Sequence, residues 1–148
     1  MPRLSIVRSV FLASSLAYGC GGEPRADPQL GLVPPGLKPV RVEIRCANNT
    51  ITVNVVPWTV RLRRGDPTEW ILLPNSTPDS IVVESKAAGP PWPYPPGRRV
   101  GNRATPARAD RMEPNVRPGL YRYSITGVCE YDGRADTVVI DPDMDVMN

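Results

Sequence analysis

Alternation of apolar and polar positions organises most of this chain. Val40, Val42, Ile44 and Cys46 alternate with Arg41, Glu43 and Arg45, a period of two that predicts a strand with one buried face. After turn residues 47–50, Ile51, Val53 and Val55 alternate with Thr52 and Asn54. Pro57 interrupts, as at a sheet edge or a bulge. Trp58, Val60 and Leu62 resume the pattern against Thr59, Arg61 and Arg63, up to a turn at 64–67. Residues 68–73 read as a strand with Trp70 and Leu72 on one face, and 80–85 as a short strand. Residues 103–112 hold another, interrupted by Pro106. Pro118-Gly119 opens a strand over 119–125, which gives way to a loop carrying Cys129 and Asp132-Gly133; a strand at 134–140 follows. No stretch shows a long 3.6-residue period with caps, so helices of any size are not expected. The pattern predicts an all-β fold, an antiparallel Greek-key β-sandwich. Nineteen prolines and twelve glycines among 148 residues agree with so many turns.

The first 39 residues break from this pattern. Arg3 and Arg8 precede a short apolar run, 10–17. That run falls short of the roughly 20 residues a membrane span needs and has the size of a signal-peptide core. Leu16-Ala17-Tyr18-Gly19-Cys20 resembles the bacterial lipobox. The resemblance implies diacylglyceryl transfer to the Cys20 thiol, cleavage before Cys20 and acylation of the new amino terminus. It gives a signal peptide over 1–19, a lipidated cysteine with a Pro- and Gly-rich tether over 20–39, a folded domain over 40–142 and an acidic tail over 143–148. The expected location is the bacterial cell envelope, anchored by lipid, with the domain facing the periplasm or the cell exterior. Gly21 rather than Asp after the cysteine favours the outer membrane.

Charge narrows the partners. The formal net charge is +3, but Arg3 and Arg8 belong to the leader; 18 − 2 leaves 16 basic residues against 15 acidic ones. Nothing in that balance supports a nucleic-acid partner. Five prolines bracket Trp92 and Tyr94 within 87–101. The two rings either form an exposed surface for a glycan or an envelope protein, or cross the outside of the sandwich and plug its side or end. Six arginines lie in 98–117, a basic face that either meets anionic lipid or is offset by the acidic residues from Glu130 onward. Asp141, Asp143 and Asp145 begin like a calcium loop but lack the glycine it needs at its sixth position, so a solvated tail is expected. Glu130 and Asp132 are a carboxylate pair of the glycosidase kind with no evident cleft around them. Without a single histidine, no Ser-His-Asp or Cys-His nucleophile can be assembled. No catalytic residue, metal or cofactor is expected, and the chain does not read as an enzyme.

From 40 to 142 the chain resembles a cupredoxin of the plastocyanin type. The likeness is carried by Pro57-Trp58, the turn Arg64-Gly65-Asp66, the strand with Trp70, the segment Pro78-Asp79-Ser80-Ile81-Val82, and Gly119-Leu120-Tyr121-Arg122-Tyr123. Copper-binding members use two histidines, a cysteine and usually a weak methionine. Here Asp79 stands at the first histidine position, Ile125 at the cysteine position, and Cys129 lies four residues later. The resemblance therefore implies a copper-free sandwich. It also sets the end of the first strand beside these loops, which in an oxidising compartment implies a Cys46–Cys129 disulfide. Two alternatives stay open: a metal or redox protein using Cys46 and Cys129, and a carbohydrate-binding module using Trp92 and Tyr94.

Overall fold

A computed structural model of the protein describes residues 36–48, 50–86, 92–131 and 133–148. The leader, Cys20 and nearly all of the tether lie outside the described residues. In chain order the strands are β1 (Lys38–Ala47), β2 (Thr50–Val56), β3 (Thr59–Arg63), β4 (Thr68–Leu72), β5 (Ser80–Ser85), β6 (Arg99–Asn102), β7 (Ala107–Ala109), β8 (Gly119–Tyr131), β9 (Arg134–Ile140) and β10 (Asp143–Met147). They form the all-β sandwich that the alternation predicts. One sheet runs β2-β1-β4-β7; the other runs β3-β10-β8-β5-β6, with β9 paired to the distal part of β8. Each sheet is mixed, because β1 and β4 run parallel, as do β3 and β10.

The chain changes sheets where its chemistry forbids a continued ladder. Pro57 has no N–H to donate, and there β2 leaves one sheet and β3 joins the other. On the opposite side β6 passes to β7 through a turn in which Asn102 Oδ1 accepts from the N–H groups of Ala104 and Thr105, at 2.8 and 2.7 Å. Gly101 makes this closure possible: a Cβ there would sit 2.3 Å from the Ala107 nitrogen.

Inward residues of both sheets fill one core. Val40, Val42 and Ile44 of β1 face Ile81, Val83, Tyr123 and Ile125 of β5 and β8, with Trp70 and Leu72 from β4. At roughly 1.5–3 kcal/mol per fully buried large side chain, this face supplies the main stabilisation.

Three expectations are corrected. Cys129 sits in no loop: β8 runs on to Tyr131, because Thr126, Val128 and Glu130 continue the outward half of the alternation and pair with Val139, Thr137 and Ala135 of β9. Residues 143–147 are no solvated tail; they form β10, laid between β3 and β8, with Met144 and Val146 buried. The outward aspartates there meet cations instead of water alone: Asp145 faces Arg61 and Asp143 faces Arg122, at 3.9 and 3.8 Å. Trp58 is half exposed and lies just outside β3, so it does not share the buried face of Val60 and Leu62.

Candidate functional site

Two places carry the residues singled out in the sequence. The first is an aromatic cluster under β4 and β8. Inward positions of these strands present Trp70 and Tyr123, ring centroids 5.6 Å apart and edge-on. Trp92 stacks on Trp70 at 6.3 Å and meets Tyr123 and Tyr94 at 5.8 Å each. Proline-dense backbone delivers Trp92 and Tyr94 here without needing a ladder. The Arg99 guanidinium lies 5.5 Å from the Trp92 ring centre and 5.9 Å from that of Tyr94, held by the carbonyls of Pro95 and Gly97. Burial lowers its pKa from the ordinary arginine value, partly offset by Tyr94.

Tyr94 is only 1% exposed. Its hydroxyl donates to the Asp66 carbonyl at 3.0 Å, leaving Thr68 Oγ1, 2.6 Å away and itself buried, to donate to it. Burial pushes this phenol up to about 12; the Thr68 bond and Arg99 work against the shift, and Asp66 with it. Tyr123 is pushed up further by burial, opposed by the Trp70 indole and assisted by Asp143 and Tyr94. The indole nitrogens of Trp70 and Trp92 and the Tyr123 hydroxyl make no hydrogen bond of ordinary geometry to the described residues. Trp92 is half-buried and borders a cleft of about 610 Å³ lined also by Glu113, Val116, Arg117, Leu120 and Tyr121. The two aromatics expected together are thus divided: Tyr94 plugs the core, and only Trp92 reaches an opening.

The second place is the far end of β1 and β8. Cys46 and Cys129 form a disulfide, with Cα atoms 6.1 Å apart and a sequence separation of 83. Both are buried. Beside them Thr77 Oγ1 accepts from the Cys46 N–H at 2.9 Å, and Thr77 donates to the Ile44 carbonyl at 2.7 Å. The Arg103 guanidinium ties this corner together by donating to the carbonyls of Ser76, Thr77 and Pro78. Asp79 points into solvent, its side chain 94% exposed, and pairs with Arg103 at 3.1 Å. Ile125 is fully buried in the core. The positions a cupredoxin would use for copper hold an ion-paired carboxylate and an aliphatic side chain, and the nearby cysteine is bonded to another. That donor set does not fit the metal.

No protein-family model matches the chain, and no curated protein is significantly similar to it. Several side chains that shape these places escaped the sequence reading. Trp70 and Tyr123 were legible as inward positions but not as partners of Trp92. Nothing along the chain marks Arg103 as the cap of a corner 25 residues upstream, since an exposed turn arginine looks like any other.

Proposed function

We propose that this is a lipid-anchored bacterial envelope protein whose cupredoxin-like domain carries no copper and serves as a binding or structural module instead of an enzyme. The observation that carries the reading is the corner at Asp79, Ile125 and Cys129. Asp79, at the first histidine position, is ion-paired; Ile125, at the cysteine position, is packed in the core; and Cys129, out of register, is bonded to Cys46. The placement of the resembling segments supports the family assignment: Pro57-Trp58 marks the change of sheet, Pro78-Asp79 precedes β5, and Gly119 opens β8. Support for export comes from the buried disulfide, since such bonds persist in oxidising compartments. The same bond removes both thiols from metal binding, and its burial shields it from thiol exchange in the folded state. A glycan platform of paired aromatics finds no support, because Tyr94 is enclosed.

Intact-mass measurement on the protein isolated from its native envelope tests this. The expected species begins at an acylated Cys20, lacks two hydrogens for the Cys46–Cys129 bond and retains no metal ion. Labelled fatty acid enters the wild-type protein and not the Cys20→Ser variant. A retained leader, label in the variant, or two free thiols holding a metal would each overturn the reading.

A further inference from the structure

One end of the sandwich gathers part of the basic stretch at 98–117 together with arginines from elsewhere in the chain. Met147 pairs with Arg63 and Val146 with Gly119, so Arg63, Met147 and Pro118 stand in neighbouring positions across β3, β10 and β8. The turn after β3 carries Arg64 and leads to Thr68, whose partner is Lys38, the first residue of β1. The Lys38 N–H donates to the Pro67 carbonyl at 2.9 Å, and its ammonium lies 4.0 Å from Asp66. Ala109 pairs with Thr68 from the other side, which places Arg111 at the same end. The chain therefore enters the domain at the end where β3 and β10 finish and β8 begins.

Arg63, Arg64, Arg111 and Arg117 are exposed there, and their guanidiniums form no ion pair among the described residues; the Arg63 main-chain N–H alone reaches an acid, donating to Asp66 Oδ2 at 2.9 Å. The acids at this end are Asp66, engaged by Lys38, Asp110, engaged by Arg108, Asp145, opposite Leu120 and 3.9 Å from Arg61, Glu69, opposite Arg108 in the next strand, and Glu113 at the rim of the cleft. Among the arginines, Leu120 is 51% exposed and Met147 38%, beside Pro118. The opposite end has another character. Arg45 and Arg103 are paired with Glu43 and Asp79, and Arg134 stands near Glu130 and Asp136 at the tip of the β8–β9 hairpin.

We propose that the end where the chain enters is a docking face for an anionic phospholipid surface, with Arg63, Arg64, Arg111 and Arg117 over headgroup phosphates and Leu120 and Met147 between them. The proposal rests on the lipid-anchor reading, which puts a bilayer on the amino-terminal side of Lys38. Charge selects the occupant: four unpaired guanidiniums meet phosphates well, while an uncharged glycan would leave them without partners. Each basic side chain near an anionic bilayer raises partitioning by about five-fold at low salt, and tethering makes even weak contact effective by holding the face near the surface.

The test uses the purified chain from residue 20 onward carrying Cys20→Ser, so that neither the apolar leader nor an acyl chain contributes, and vesicles of phosphatidylcholine with or without phosphatidylglycerol. Flotation at low ionic strength gives the partition coefficient. Arg63→Gln, Arg64→Gln and Arg117→Gln combined are expected to lower binding to the phosphatidylglycerol vesicles by about a hundred-fold. Arg45→Gln with Arg134→Gln, at the other end, is expected to leave it unchanged. All five side chains are exposed, and an unchanged melting transition verifies the folds. A triple variant that floats like its parent overturns the proposal, as does binding that is indifferent to phosphatidylglycerol. Heparin binding as tight as vesicle binding and equally weakened in the triple variant also overturns it, since it marks a general polyanion site. If labelled fatty acid never enters Cys20 while the arginine dependence holds, the face stands and the anchor falls.

Discussion

Tyr94 shows how one side chain ties the Pro-rich segment to the sandwich. Its hydroxyl joins Thr68 of β4 to the carbonyl of Asp66, so Tyr94→Phe strands both partners and is expected to cost about 1–2 kcal/mol in urea denaturation at neutral pH. Its titration adds a signature. The phenol ionises near 10.0 when unfolded and near 12 when folded. The stability it contributes is complete below pH 10 and is lost as pH rises towards 12, by at most about 3 kcal/mol. Tyr123 shifts the same way, so Tyr94→Phe is expected to reduce the alkaline decline in stability without abolishing it. Gly101 makes a different point. A methyl group there meets the backbone nitrogen of Ala107, which cannot rotate aside. Gly101→Ala is expected to lower stability by about 1–3 kcal/mol, read from the shift in denaturation midpoint. The sequence disclosed Tyr94 as one of two equivalent aromatics. What separates the two is a polar partner on each side of one hydroxyl, which depends on the turn before β4 and leaves no local trace.

Among the elements, β8 was half legible. Its first seven residues alternate strongly, but Gly127 and Cys129 hold inward positions without looking like core. Gly127 has to be small, since a Cβ would come within 3.0 Å of Ile44 Cδ1 and 3.2 Å of Pro78 Cγ. Cys129 is inward because it is bonded to Cys46. Replacing both cysteines with alanine reopens a loop of 83 residues and is expected to cost about 4 kcal/mol in the chain-entropy picture, measured as a fall in midpoint without reductant. Protection of β9 amides from hydrogen exchange is expected to fall most, because among the described strands β9 pairs only with β8. β10 was missed for an electrostatic reason: three aspartates at alternate positions look solvated until Arg61 and Arg122 are seen across the neighbouring strands. Ending the chain at Pro142 removes Met144 and Val146 from the core. The shortened protein is expected to show no cooperative thermal transition by near-ultraviolet circular dichroism.

For the whole molecule, strand alternation and Pro/Gly punctuation were enough to read a sandwich, because a period of two with one buried face leaves few other ways to hide that face. They did not disclose which strands neighbour one another, since parallel pairs such as β1 with β4 arise only after the chain has crossed into the other sheet and returned. The difference in charge between the two ends was invisible for the same reason: Arg63 is far in sequence from Arg111 and Arg117 and shares an end with them only through strand register. That register also sets a timetable. β10 fills the gap between β3 and β8, so the second sheet cannot close until residues 143–147 have arrived. A nascent chain that has not yet reached residue 143 holds β1 to β9 without the strand that joins β3 to β8. Until that strand docks, β3 has no hydrogen-bonded neighbour among the described strands.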